Sequence, residues 1–170
     1  MAHDPSVVVT ALRDAANAFA SSQTRATFEE SLVPDDPETT QLRKACRLLE
    51  ACRTLRANDG FYTSVIEMSF AAVERTLEFY VLSQSTDTID NFQNHEYAFD
   101  RAAALGLFSQ ATCDDLYQLY ADNRSAAYYR DTVATQEQAE TMFTLAVEVH
   151  NFTTQFLQRA HECRCSGELS

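Results

Sequence analysis

Between residues 61 and 83, apolar side chains recur with the period of an α-helix. Tyr62, Val65, Ile66, Ser69, Phe70, Val73, Leu77, Tyr80 and Val81 fall on one wide face. So wide a face has to be covered from more than one side, which sets this helix at the centre of a bundle. The rest of the chain allows no sheet around it. Three glycines and three prolines stand against 24 alanines in 170 residues, and an all-β fold needs turn residues about every 8–12 positions.

The other helices follow from start and stop signals. Asp4-Pro5 opens a first helix over residues 5–22, carried by Val8, Leu12, Ala15, Ala16 and Phe19. Residues 23–37 lose the periodicity and contain Pro34 and Pro37, which makes them a linker. Asp36-Pro37-Glu38 opens a second helix with a narrow stripe of Leu42, Ala45, Cys46, Leu49 and Cys52, and Asn58-Asp59-Gly60 ends it. After the central helix, a fourth runs over residues 91–105 to a Gly106 C-cap, and Ser109 or Thr112 caps a fifth. The capping-box spacing of Thr135 and Gln138 opens a sixth that reaches residue 160. The expected architecture is all-α: an up-and-down bundle of five to six helices in a single domain. It comprises an N-terminal helix to residue 22, a linker at 23–37, a bundle core at 38–160 and a tail at 161–170.

The net charge is −12, and Lys44 is the only lysine beside 12 arginines. Such a surface repels phosphate polymers as a whole and argues against a general nucleic-acid coat protein. It suits a halophilic cytoplasm, where carboxylates stay hydrated and molar salt screens repulsion to about 3 Å. The N-terminus has no basic region before its Val7-Val8-Val9 run, and no apolar stretch approaches the roughly 18 residues of a membrane span. A cytoplasmic protein with no membrane partner is expected. Cys46, Cys52, Cys113, Cys163 and Cys165 are odd in number and scattered, and read as reduced thiols. The tail offers His161, Cys163 and Cys165, which could hold zinc with a fourth ligand from elsewhere. Structural zinc sites normally show two spaced ligand pairs, so the expectation is no metal and no cofactor.

Inward Glu-x-x-His pairs, as in di-iron bundles, are missing: Phe92, Val147 and Gln158 stand three residues before His95, His150 and His161. No glycine-rich phosphate loop is present. Two regions remain. Arg43, Lys44, Arg47, Arg53 and Arg56 crowd the second helix, and Arg43, Lys44 and Arg47 share the face opposite Leu49 and Cys52. This face could grip an RNA backbone or an acidic partner; the alternative is a solvated face in which Arg47 and Arg53 pair with Glu50. In residues 116–130 an apolar stripe runs into Asp122-Asn123-Arg124 in mid-helix, followed by Tyr128, Tyr129 and Arg130. Polar groups there need partners, and two phenols lie within a turn or so of Arg124.

At this segment the chain resembles the HEPN superfamily, helical-bundle proteins of prokaryotic toxin–antitoxin and defence systems, from about residue 58 to 157. The motifs are Ser69-Phe70-Ala71-Ala72-Val73-Glu74 on the long helix, Asn94-His95-Glu96 at the next helix start, the polar cluster at Arg124, and Thr135-x-x-Gln-Ala. The resemblance implies a homodimer and a metal-independent ribonuclease site built from an arginine and, four to six residues on, a histidine. There the RNA 2′-OH attacks its own phosphate, histidine moves the proton and arginine stabilises the phosphorane. Arg124 matches the motif arginine, but Tyr129 stands where the histidine would be, and a phenol with an ordinary pKa near 10 is a poor base at neutral pH. The expectation is therefore a degenerate member that binds RNA, a nucleotide or a partner protein at an Arg124/Tyr129 pocket. Such relatives often sit beside a nucleotidyltransferase partner. The alternatives are a weak ribonuclease, with Arg124 holding phosphate and Tyr129, His95 or His150 moving the proton, and a purely structural dimerisation module.

Overall fold

The computed structural model describes residues 5–20, 27–29, 31–32, 36–58, 60–129 and 133–165, with the backbone alone at 125–129. Its described residues form helices and connections and contain no strand. The all-α expectation holds. The chain divides into two compact units, residues 1–30 and 31–170, and the predicted linker at 23–37 straddles that boundary. The first unit contains α1 (Ser6–Ala20), with Val7, Val8, Leu12 and Phe19 exposed. The expected Asp4 cap lies outside the described residues.

The second unit holds α2 (Pro37–Arg56), α3 (Tyr62–Gln84), α4 (His95–Ala104), α5 (Gln110–Tyr129) and α6 (Gln136–Phe156). α3 is the hub: α2, α4 and α6 all pack on it, while α5 lies along α4. Its wide apolar face accounts for this role, because Val65, Val73, Leu77, Phe79, Tyr80 and Val81 are all buried. Facing them are Leu42 and Leu49 of α2, Phe99 of α4 and Phe143 of α6. Burying a side chain of this size contributes on the order of 1.5–3 kcal/mol. The Tyr80 hydroxyl donates to the Leu105 carbonyl at 2.8 Å, so the polar tip of this core ring also fastens the end of α4.

Most helix boundaries follow the local chemistry. Asp36 accepts from the Thr39 amide at 3.1 Å at the start of α2, and Thr135 and Gln138 form a reciprocal capping box on α6. Gly106, at φ +85°, ends α4 in a left-handed turn, with its amide on Ala103 and that of Leu107 on Ala102. Of the two candidate caps for α5, Ser109 is the one used, accepting from the Thr112 amide at 3.1 Å. Two boundaries differ from expectation. Asn91 closes a capping box with Thr88 over a short 3-10 turn (Ile89–Gln93), so α4 starts only after Asn94, which accepts from the Glu96 amide. The last helix stops at Phe156, four residues early, because Gln158 adopts φ +58° and turns the chain back toward α2. Among the described residues no helix is long and apolar enough to cross a membrane.

Candidate functional site

The middle of α5 approaches α3 where Phe70 meets Tyr120 edge-on, with ring centroids 5.7 Å apart. Beside this contact is a cavity of about 320 Å³. Phe70 and Ala71 form its apolar wall; Glu67, Glu74, His95, Tyr120, Asn123 and Arg124 form the polar one. Three helices contribute, and the chemistry divides among them. From α5, Arg124 donates from Nη1 to the Tyr120 hydroxyl at 2.5 Å and carries its guanidinium 5.9 Å from that ring. From the start of α4, His95 lies with Nδ1 2.6 Å from Glu74 Oε1 of α3. A carboxylate acceptor makes Nδ1 the donor, which leaves Nε2 of the neutral ring with its lone pair directed away from Glu74. Glu74 is nearly buried and its second oxygen lies 3.2 Å from Arg75, whereas His95 is 47% exposed. The result is an oriented imidazole and a cation on one wall, the pairing that phosphate binding and proton transfer both require.

Of the residues singled out in the sequence, Arg124 and Asn123 line this cavity. Asp122 faces instead a neighbouring groove with Leu119, Met142 and Leu145, where it accepts from Gln118 at 2.8 Å. The side chains of Tyr128 and Tyr129, and Arg130 as a whole, lie outside the described residues. Glu74 and Tyr120 were not expected as site residues; neither has a local spacing that ties it to His95 or announces a role. His95, the alternative proton carrier, joins the cavity, whereas His150 is buried far along α6 in a cluster of its own.

The basic face of α2 is largely committed. Arg47 pairs with Glu50 at 2.7 Å as its spacing suggested, but Arg53 does not. It donates to the carbonyl of Cys165 at 2.7 Å, and Arg56 pairs with Glu140 while lying 4.2 Å over the Phe143 ring. Arg43 and Arg47 are half-buried, leaving Lys44 as the exposed member of the proposed RNA or partner face.

Where the returning tail meets α2, four soft ligand atoms converge. Cys46 of α2, His150 of α6, and Cys163 and Cys165 of the returning tail all lie within 4.8 Å of one another. His150 Nε2 is 3.1 Å from the Cys163 sulfur, 3.4 Å from that of Cys165 and 3.8 Å from that of Cys46. Cys163 and Cys165 Sγ are 3.0 Å apart, well beyond the roughly 2.05 Å of a disulfide, and the described cysteines are free thiols. Hydrogen bonds from Cys165 and Cys46 hold the Cys163 thiol far below its ordinary value. Burial opposes charge on His150, but its contacts with Cys163 and Cys46 outweigh burial and push it up to about 9. The expectation from the sequence was no metal; these four atoms are placed so that they could hold a metal ion. The tail supplies two of its expected donors, but His161 is 75% exposed beside Glu162 and takes no part.

No curated protein and no solved structure shows significant similarity to the chain. A family model described as a domain of unknown function, DUF8154, matches residues 3–165, and the chain belongs to that family.

Proposed function

We propose that the chain is a degenerate HEPN-like protein that binds a phosphate-bearing ligand, RNA or a nucleotide, in the cavity between α3, α4 and α5. The observation that carries this reading is the meeting of Arg124 with the Glu74-oriented His95 on one wall of that cavity. Arg124 is a planar, permanently charged donor suited to a phosphate oxygen, and Tyr120 holds its direction. Phe70 and Tyr120 offer apolar and aromatic surface for a base. The family resemblance adds a two-fold dimer in which two copies of the α5 face meet, with a nucleotidyltransferase as a partner protein.

The second reading, a weak ribonuclease, is favoured by His95 specifically. Its Nε2 can take the 2′-OH proton while Glu74 stabilises the ring, so a histidine from α4 would stand in for the one that Tyr129 replaces. Incubation of the purified chain with labelled single-stranded RNA separates the readings. Binding without cleavage, weakened ~10-fold or more by Arg124→Ala, supports the binder. Cleavage abolished by both Arg124→Ala and His95→Ala supports the enzyme. A dimer that neither binds nor cleaves RNA or nucleotides overturns both and leaves a structural dimerisation module.

A further inference from the structure

We infer that Cys46, His150, Cys163 and Cys165 bind one zinc ion in a closed, structural site that pins the chain after α6 across α2 and α6. A tetrahedral zinc with Zn–S near 2.3 Å and Zn–N near 2.0 Å sets its ligand atoms roughly 3.5–3.8 Å apart. The sulfur–sulfur and sulfur–nitrogen separations here run from 3.0 to 3.8 Å for five of the six pairs. Ordinary core packing gives no reason for three thiols and an imidazole to point at one spot.

The surroundings orient these ligands as a metal site requires. Thr76 donates its hydroxyl to the Ala72 carbonyl at 2.8 Å, so its oxygen can only accept from His150 Nδ1, 3.1 Å away. In the neutral ring that a metal binds, that contact keeps the proton on Nδ1 and leaves the Nε2 lone pair for the ion on the side of the sulfurs. The Arg164 amide lies 3.4 Å from the Cys46 sulfur, a donor for a thiolate, and Arg53 holds the Cys165 carbonyl. Three thiolates and a neutral imidazole around a divalent ion leave one negative charge, which Arg53 and the amide offset. On binding, the three sulfurs end as thiolates and His150 as a neutral imidazole, their remaining protons going to solvent as the sulfur–zinc and nitrogen–zinc bonds form, with no change of oxidation state. Four protein ligands, three of them buried, leave no coordination position for substrate.

The full chain, purified under reducing conditions without added chelator, is expected to carry one zinc per chain by elemental mass spectrometry. After its removal, Co²⁺ should restore the intense visible bands of a tetrahedral site and a thiolate-to-cobalt charge-transfer band. Replacing both tail cysteines, Cys163→Ser with Cys165→Ser, should abolish both signals, whereas Cys113→Ser, a buried thiol outside the cluster, should leave them intact. Thr76→Val keeps all four ligands and should weaken zinc ~10-fold or more. Absence of zinc together with no cobalt spectrum from the reduced wild-type chain overturns the inference, as does full zinc content in the double variant. A Cys163–Cys165 disulfide found without metal also overturns it. If the double variant does not fold, the cobalt titration of the wild-type chain and of Thr76→Val decides.

Discussion

Glu78 is the residue at which the fold acts against its own chemistry. Its side chain is 0% exposed in the C-terminal third of α3, and neither carboxylate oxygen has a hydrogen bond among the described residues. Arg75 Nη1 lies 2.8 Å from one oxygen, but the same guanidinium also serves Glu74, so one cation is shared between two acids. Burial pushes the Glu78 carboxyl up to about 7, against the pull of Arg75 and with the repulsion of Glu74 added. The sign follows from proton counting. Between the ordinary carboxylate value of about 4.5 and about 7, the folded chain holds a proton that the unfolded chain has lost. Stability therefore falls as pH rises through that window and stays lower above it. At 1.36 kcal/mol per pH unit the effect reaches about 3 kcal/mol at most. Glu78→Gln removes the titration, so its stability relative to wild type should rise by ~1–3 kcal/mol between pH 5 and pH 8 in urea melts. Parallel pH profiles for the two proteins would refute this. Because other groups titrate equally in both, the difference isolates Glu78.

At the scale of elements, the segment after α6 is the part of the bundle most dependent on distant partners. Gln158 at φ +58° closes α6 with its amide on Gln155 and that of Arg159 on Thr154, and the chain then reverses through a 3-10 turn (Ala160–Glu162). Arg159 pairs with Glu38 and Glu162 and lies 4.8 Å over the Phe79 ring. If zinc holds the tail, stripping it with a chelator should speed exchange of the Glu162 and Cys163 amides, whose acceptors are Arg159 and Ala160, while mid-α6 amides stay protected. Unchanged exchange after verified zinc loss would show that the arginine contacts suffice. This contrast also marks what the sequence could reveal. Asp36, Ser109, Thr135 and Gly106 each act on partners within five residues, so their roles were legible from spacing. Gln158 was not, because a non-glycine residue in the left-handed region carries no local signal, and the helix was expected to continue. The zinc ligands were half legible: Cys163 and Cys165 announce themselves two residues apart. Cys46 and His150 lie 104 residues apart and meet only because α2 and α6 both pack on α3. Glu74 and His95 escape local spacing for the same reason.

For the molecule as a whole, the net charge of −12 decides which kind of phosphate binding is feasible. Proteins that bind nucleic acid by neutralising many phosphates lose affinity steeply with salt, with a log–log slope of about −0.7 per contacted phosphate for single strands. The Arg124 cavity offers a single fixed guanidinium, with Glu67 and Glu74 beside it, so it can neutralise about one phosphate. Most of its affinity has to come from desolvated hydrogen bonds and from ring contacts with Phe70 and Tyr120, which salt screens little. The alternative face on α2 has the exposed Lys44 beside the half-buried Arg43 and Arg47, and it engages several phosphates at once only if Arg47 leaves Glu50. Binding of a short single-stranded RNA, measured from 0.1 M to 2 M KCl, therefore distinguishes the two surfaces by slope. A value near −1 places the ligand at Arg124, and Arg124→Ala should then lower affinity ~10-fold or more at every salt concentration. A slope of −2 or steeper, lost in Lys44→Ala and unaffected by Arg124→Ala, would move the binding surface to α2. An acidic surface in concentrated salt is compatible with the first behaviour. The second would leave the chain almost without affinity in molar salt.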